Sequence, residues 1–224
     1  MRKVEFIMGM PITVDIPSCD NERIFEKVFK RFREIDSRFS PYKKDSELFK
    51  YQRGEIEEKN LSIEFKKIMA ACKKAAEETN GYFSAYFSGK YDPTGYVKGW
   101  AISEAGKVIE KAGFRTYCIG AGGDILARSN SDKVWNIGIQ EPKDKTKILE
   151  QVSISNGAVA TSGNYERGKH IINPKTGQPA DQLLSVSVIG PGIIKADILA
   201  TAIFASGSIK IIEKHKDYEA LVVK

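Results

Sequence analysis

A train of short apolar segments most constrains this fold. They lie at 115–119, 134–140, 151–155, 158–161 and 183–190, separated by Gly, Asn and Pro signals. This pattern predicts strands joined by turns, and helical periodicity gathers on either side of it. Residues 3–16 read as a strand, and 20–37 then place Ile24, Val28, Phe32 and Ile35 on one stripe with Asp20 as the expected cap. A second helix is expected over 62–79, with Ile68, Met69, Cys72 and Ala75 inward and Asn80-Gly81 as its stop. A third, over 97–112, ends at Gly113. The last third adds a helix at 193–206, a short one near 208–215 and a closing strand in EALVV. These elements imply an α+β fold, a largely antiparallel sheet with packed helices, and not a regular βαβ alternation. No repeat, low-complexity tract or linker divides the chain, so one compact unit over 1–224 is expected.

The composition, 42% apolar and 29% charged over 224 residues, suits a globular chain that buries a core without disulfide staples. Cys19, Cys72 and Cys118 are odd in number and widely spaced, which supports neither a disulfide framework nor a cysteine zinc site. A reduced, cytoplasmic setting is expected, with Cys72 in the core. Glu5 and Asp15 interrupt the first apolar run, so no signal peptide is expected. Lys195 and Asp197 interrupt the apolar stretch 193–205, so no membrane span is expected either. The net charge of +6 is spread along the chain without a nucleic-acid motif, and no nucleic-acid partner is expected.

Several familiar chemistries are excluded. Gly120-Ala121-Gly122-Gly123-Asp124 has Ile125 where a dinucleotide fingerprint needs its third glycine, and a strand pattern follows instead of a helix. No G-x-x-x-x-G-K-[ST] loop is present. Two histidines cannot build a multi-histidine metal centre, which leaves oxygen ligands suited to Mg²⁺ or Ca²⁺. His215, in Lys-His-Lys, is expected to be solvated. His170 opens a short apolar step before the turn signal Asn173-Pro174-Lys175-Thr176-Gly177. Asp197 and Thr201 are four apart, so they project from one helical face, either to share a hard cation or as a polar stripe with Asp197 near the helix N-terminus. Asp92 to Trp100 reads as a turn entering a helix, where a pyrophosphate binds well. Ala160 to Arg167 reads as a loop carrying hydroxyls and an arginine.

In this order, eight segments resemble the ApbE family, the Mg²⁺-dependent FAD:protein FMN transferases. They are Met8-Gly9-Met10, Phe39-Ser40-Pro41-Tyr42 with Asp45-Ser46-Glu47-Leu48, DPTGYVKGW at 92–100, GAGGDI at 120–125, Trp135 to Pro142, ATSGNYER at 160–167, HIINPKTGQP at 170–179 and ADILATA at 196–202. The resemblance implies an ApbE-like, T-fold-like unit. It implies FAD contacts at Met8, Tyr42, Tyr82, Phe83, Ser84, Asp92, Lys98 and Ile171, and metal ligands at Asp197, Thr201 and the Gly95 carbonyl. Met10 replaces the usual threonine of the family, Ser84 its usual aspartate, and Ala200 an acidic ligand of some members. The stretch between the family's G-x-F-D and D-x-x-G motifs is short here, as in a short-form member.

The implied reaction is attack by a Thr or Ser hydroxyl of an acceptor protein on the FMN-side phosphorus of FAD, with release of AMP. Mg²⁺ neutralises the phosphoryl oxygens, and His170 is the candidate base, assisted by Asp197. Two alternatives stay open: an FAD pyrophosphatase, in which water replaces the acceptor, and a non-catalytic flavin-binding module.

Overall fold

The structure, a computed structural model, describes residues 1–87, 89–164 and 171–224. It opens with a hairpin, β1 (Arg2–Ile7) and β2 (Met10–Asp15), where a single strand over 3–16 is expected. The chain reverses within Met8 and Gly9, both at positive φ (56° and 73°), which matches the twist of the flanking strands. Because a methionine holds the place usually left to Asn or Gly, the apolar pattern runs through the turn unbroken. α1 (Glu22–Phe39) follows, capped by Asn21 and not Asp20, since the Asn21 side chain accepts from the Arg23 N–H at 3.0 Å. A short helix absent from the sequence reading, α2 (Glu47–Gln52), is capped by Ser46, and α3 (Ile63–Glu78) by Ser62. The minimal hairpin β3 (Tyr86–Phe87) and β4 (Lys90–Tyr91) leads to α4 (Thr94–Lys111), which starts at Thr94 rather than Val97.

Next come β5 (Tyr117–Ala121), β6 (Asp124–Arg128), β7 (Trp135–Glu141), β8 (Asp144–Ile154), β9 (Gly157–Gly163) and β10 (Ser185–Gly190). α5 (Ile193–Ser206), a 3-10 turn over 209–214 and β11 (Glu219–Val223) complete the order. The run Ala160 to Arg167 is not one loop, because Thr161 and Ser162 lie within β9. Seven strands form one sheet in the order β1-β2-β5-β6-β9-β10-β11, and every neighbouring pair is antiparallel.

Strand alternation sorts the side chains onto two faces. One face, with Ile12, Val14, Ile119, Leu126, Ala160 and Val188, joins the main core beneath α1, α4 and α5. The other is covered by the β7–β8 ribbon, whose Trp135, Ile137 and Ile154 pack on Ala127 and Val159. α5 lies against β9, β10 and α4, and its residues are buried nearly all round. Among the described residues, no helix is long and apolar enough to cross a membrane.

Rings knit the helical layer together. Phe65 on α3 stacks on Phe39 of α1 at 5.2 Å and meets Tyr51 of α2 at 5.7 Å and Tyr91 of β4 at 5.8 Å. Cys72 is buried beside them, and burial pushes its thiol up to about 12. His215 is not solvated as expected. Its Nε2 is shielded with no hydrogen-bond partner among the described residues, and burial, then Lys195, hold its pKa below the ordinary value. Phe65→Ala should lower unfolding stability by about 3–5 kcal/mol, the usual cost of emptying a buried phenylalanine site. Urea titration followed by circular dichroism measures it, and a loss under about 1 kcal/mol would mean that the ring cluster does not hold α3 in place.

Candidate active site

The most polar point of the interior lies where α4, α5 and β6 meet. Gly122 and Gly123, at φ 57° and 91°, form the two-residue reversal between β5 and β6, so the glycine cluster is a hairpin turn and not a nucleotide loop. The first residue after it, Asp124, is fully buried and shares the inward face with Leu126. Lys98 of α4 places its Nζ 2.8 Å from Asp124 Oδ2 and 3.3 Å from Asp197 Oδ1 of α5. The Gly99 N–H donates to Asp197 Oδ2 at 3.1 Å, and the Thr161 N–H donates to Asp124 Oδ1 at 3.2 Å. One helical turn beyond Asp197, Thr201 Oγ1 lies 3.2 Å from Ser162 Oγ of β9.

Burial disfavours both charged partners, but their pKa values move up together. For Asp197, burial and the nearby Asp124 charge raise the pKa, and Lys98 and the Gly99 N–H only partly offset them. For Lys98, burial lowers the pKa, but Asp124 and Asp197 together outweigh it and fix the ammonium form. Asp197 is 2% exposed and ion-paired, so it is not a surface carboxylate favouring the helix dipole.

Close helix packing makes this arrangement possible. A Cβ at Gly99 would stand 3.1 Å from Asp197 Oδ2 and 3.2 Å from the Ile194 Cα, so glycine lets α4 and α5 approach closely. Gly95 lies one helical turn before Gly99 on α4, near the start of that helix. At the mouth of α4, Asp92 Oδ1 accepts from the Thr94 N–H at 2.9 Å, an Asx turn that starts the helix.

The other predicted residues stand on turns and connecting segments. Met8 sits at φ 56°, a conformation uncommon outside glycine, and packs against the main core. Phe83 is buried, and its ring lies 3.5 Å from where a Gly95 side chain would begin. Tyr82 carries the Lys175 ammonium 4.1 Å from its ring centre. Ser84 Oγ accepts from the Tyr86 N–H at 3.0 Å and donates to the Tyr86 carbonyl at 2.8 Å. Ile171 is half-buried, and its carbonyl accepts from the Ala180 N–H at 2.9 Å. Tyr42, 89% exposed, and Ser84 are not joined to the buried cluster by any hydrogen bond or ion pair among the described residues. His170 lies outside the described residues.

The structure thus joins Lys98 to Asp197, with Thr201 one turn beyond on α5 and Gly95 one turn before Gly99 on α4, and adds Asp124 and Ser162, which sequence reasoning missed. Asp124 carried one signal: a carboxylate on the strand face that the apolar Leu126 marks as inward. Among the described residues, no three His, Cys, Asp or Glu side chains converge as metal ligands would. The donors near Asp197 are instead a carboxylate, a hydroxyl and a main-chain carbonyl. All are hard oxygens, which fit Mg²⁺ and not a soft metal.

The ApbE family model matches residues 8–89 and 88–222. The chain belongs to the ApbE family. An FAD:protein FMN transferase of Klebsiella pneumoniae is 31% identical over 125 residues, which cover 50% of this chain and 36% of that protein. The matched region therefore spans about a third of the curated relative's length. The flavin transferase ApbE of Vibrio cholerae superposes with a TM-score of 0.83 at 20% identity, over 100% of this chain and 93% of that one. The ApbE protein of Thermotoga maritima gives 0.82 at 22% identity, over 99% and 93%. At that identity, these two likenesses establish the α+β ApbE fold.

Gly99→Ala tests the helix contact beneath the site. Alanine gains about 1 kcal/mol of helix propensity, whereas overpacking against a backbone atom costs about 1–3 kcal/mol. Net destabilisation is expected, larger for Gly99→Val. Thermal unfolding of both variants measures it, and wild-type stability in Gly99→Val would mean that α4 and α5 do not need the glycine.

Proposed function

We propose that the protein is a Mg²⁺-dependent FAD:protein FMN transferase that attaches FMN to a Thr or Ser hydroxyl of an acceptor protein and releases AMP. Family membership supports flavin transfer. The observation that carries the reading is the buried Asp197, held by Lys98 and the Gly99 N–H on the same helical face as Thr201. A flavin-binding module without catalysis needs no metal clamp of the kind Asp197 and Thr201 would form.

On this reading, Asp197, Thr201 and the Gly95 carbonyl hold the magnesium. When bound, the metal neutralises charge on the phosphoryl oxygens. Lys98 stays an ammonium and orients Asp197. Met8, Tyr42, Tyr82, Phe83, Ser84, Asp92, Lys98 and Ile171 bind and orient FAD, with the Tyr42 ring, open to solvent, available as a stacking surface. The acceptor hydroxyl oxygen forms a bond to the FMN-side phosphorus, the pyrophosphate P–O bond breaks, and AMP leaves with that electron pair. His170, placed by sequence alone, takes the hydroxyl proton.

Incubation with FAD, Mg²⁺ and candidate acceptors, read by mass spectrometry, should give one added FMN per AMP released. Asp197→Ala should abolish labelling and, with Lys98 still paired to Asp124, remain folded at reduced stability, and His170→Ala should slow transfer by about 10²–10⁴-fold with FAD affinity nearly unchanged. AMP and free FMN formed at equal rates with and without acceptor, and no labelled protein, would favour the pyrophosphatase.

Tyr42 gives a separate readout. FAD should bind more tightly than AMP, and Tyr42→Ala should cost FAD about 1 kcal/mol while sparing AMP. Isothermal titration measures both, and equal affinities unchanged by the substitution would remove Tyr42 from the flavin site.

A further inference from the structure

A cavity of about 430 Å³ opens along α3, and none of the Lys98 cluster lines it. Met69, Cys72 and Ala76 of α3 form its floor, and Ala85 and Tyr86 form a wall. The floor is apolar in character, because burial keeps the Cys72 thiol protonated. Tyr86 is 59% exposed, yet its strand is fixed by the two hydrogen bonds to Ser84 and its ring rests 5.0 Å from that of Tyr91. The rim carries Lys66, Lys73 and a single carboxylate, Glu58. Lys66 is anchored by the Lys59 carbonyl at 2.6 Å. Along α3, Lys66, Lys67, Lys73 and Lys74 stand against Glu64, Glu77 and Glu78, and Lys74 pairs with Glu78 at 3.8 Å, so the excess of positive charge is small and lies at the rim, on Lys66 and Lys73.

We infer that this cavity docks the acceptor polypeptide, taking an apolar side chain from an acidic segment. The inference rests on the transferase reading, which requires a second polypeptide beside the site. Charge complementarity selects the occupant. Lys66 and Lys73 stand two helical turns apart, about 10 Å along the axis, a spacing that suits carboxylates distributed along a peptide better than one phosphate group. Ser84 links the cavity to Phe83, which touches the start of α4 at Gly95. A segment seated on α3 therefore runs toward the reacting end of the site.

The test uses a short fluorescein-labelled peptide with Asp and Glu around one Leu and one Thr, and a second in which Lys and Arg replace the acids. Anisotropy titrations are run without FAD. The acidic peptide should bind about tenfold or more tightly than the basic one, weaken with salt, and lose that advantage in Lys66→Glu/Lys73→Glu. The same double variant should raise the acceptor KM in FMN transfer while leaving kcat and FAD affinity unchanged. Met69→Gln, which leaves the charges in place, should weaken the acidic peptide through the lost apolar contact. Equal binding of both peptides, or no change in the double variant, overturns the docking site. So does AMP displacing the peptide from the wild type, because the cavity is then a nucleotide subsite. Absence of transfer to every acceptor, with acidic-peptide binding intact, instead counts against the transferase reading.

Discussion

The ammonium of Lys98, held between the carboxylates of Asp124 and Asp197, sets the terms for the surrounding structure. Both carboxylates have left water, Lys98 is partly buried between them, and a buried ion pair stripped of one partner costs about 3–5 kcal/mol. The elements that carry the three groups must therefore meet within hydrogen-bond distance or not be buried at all. Local features meet that demand. The Gly122-Gly123 reversal starts β6 with Asp124 facing inward, and the missing side chain at Gly99 lets α5 approach until its carboxylate reaches a main-chain N–H of α4.

Short-range patterns in the sequence carried most of the elements, because capping, turn chemistry and periodicity act over a few residues. α3 between Ser62 and Asn80-Gly81, and α5 over 193–206, fall where those signals put them. What failed had competing local signals. Asp20 and Asn21 are both good caps, and the choice went to the side chain that reaches Arg23. Met8-Gly9 turns the chain with a methionine where Asn or Asp normally announces the turn before a glycine, and the pairing of β1 with β2 outweighs the cost of that methionine at positive φ. The six residues of α2 are too few to establish a periodicity.

The site was legible as a list of residues but not as a geometry. Asp197 and Thr201 share a face by helical spacing alone, whereas Lys98 reaches Asp197 only through the packing of two helices far apart in sequence. Asp124 has no local signal beyond its strand parity, because the glycines before it mark only a turn. Its importance depends on α4 lying over the face to which Leu126 also points. The destination of the β7–β8 ribbon was equally hidden, because its apolar residues announce strands without saying which sheet face they cover.

The residues around the centre divide by rigidity. Lys98, Asp124, Asp197 and Thr201 stand on helices and a strand, locked by packing from both sides, whereas Met8, Tyr42, Tyr82 and Ile171 stand on turns and connecting segments. Charge stabilisation demands fixed dipoles and ions, because any reorganisation during reaction subtracts from what they supply. Ring stacking tolerates small displacements at little cost, so a flavin-binding surface can be built on turns. Under the transferase reading, the buried ion cluster sets where phosphate chemistry occurs, and the turns around it set which molecule presents the phosphate.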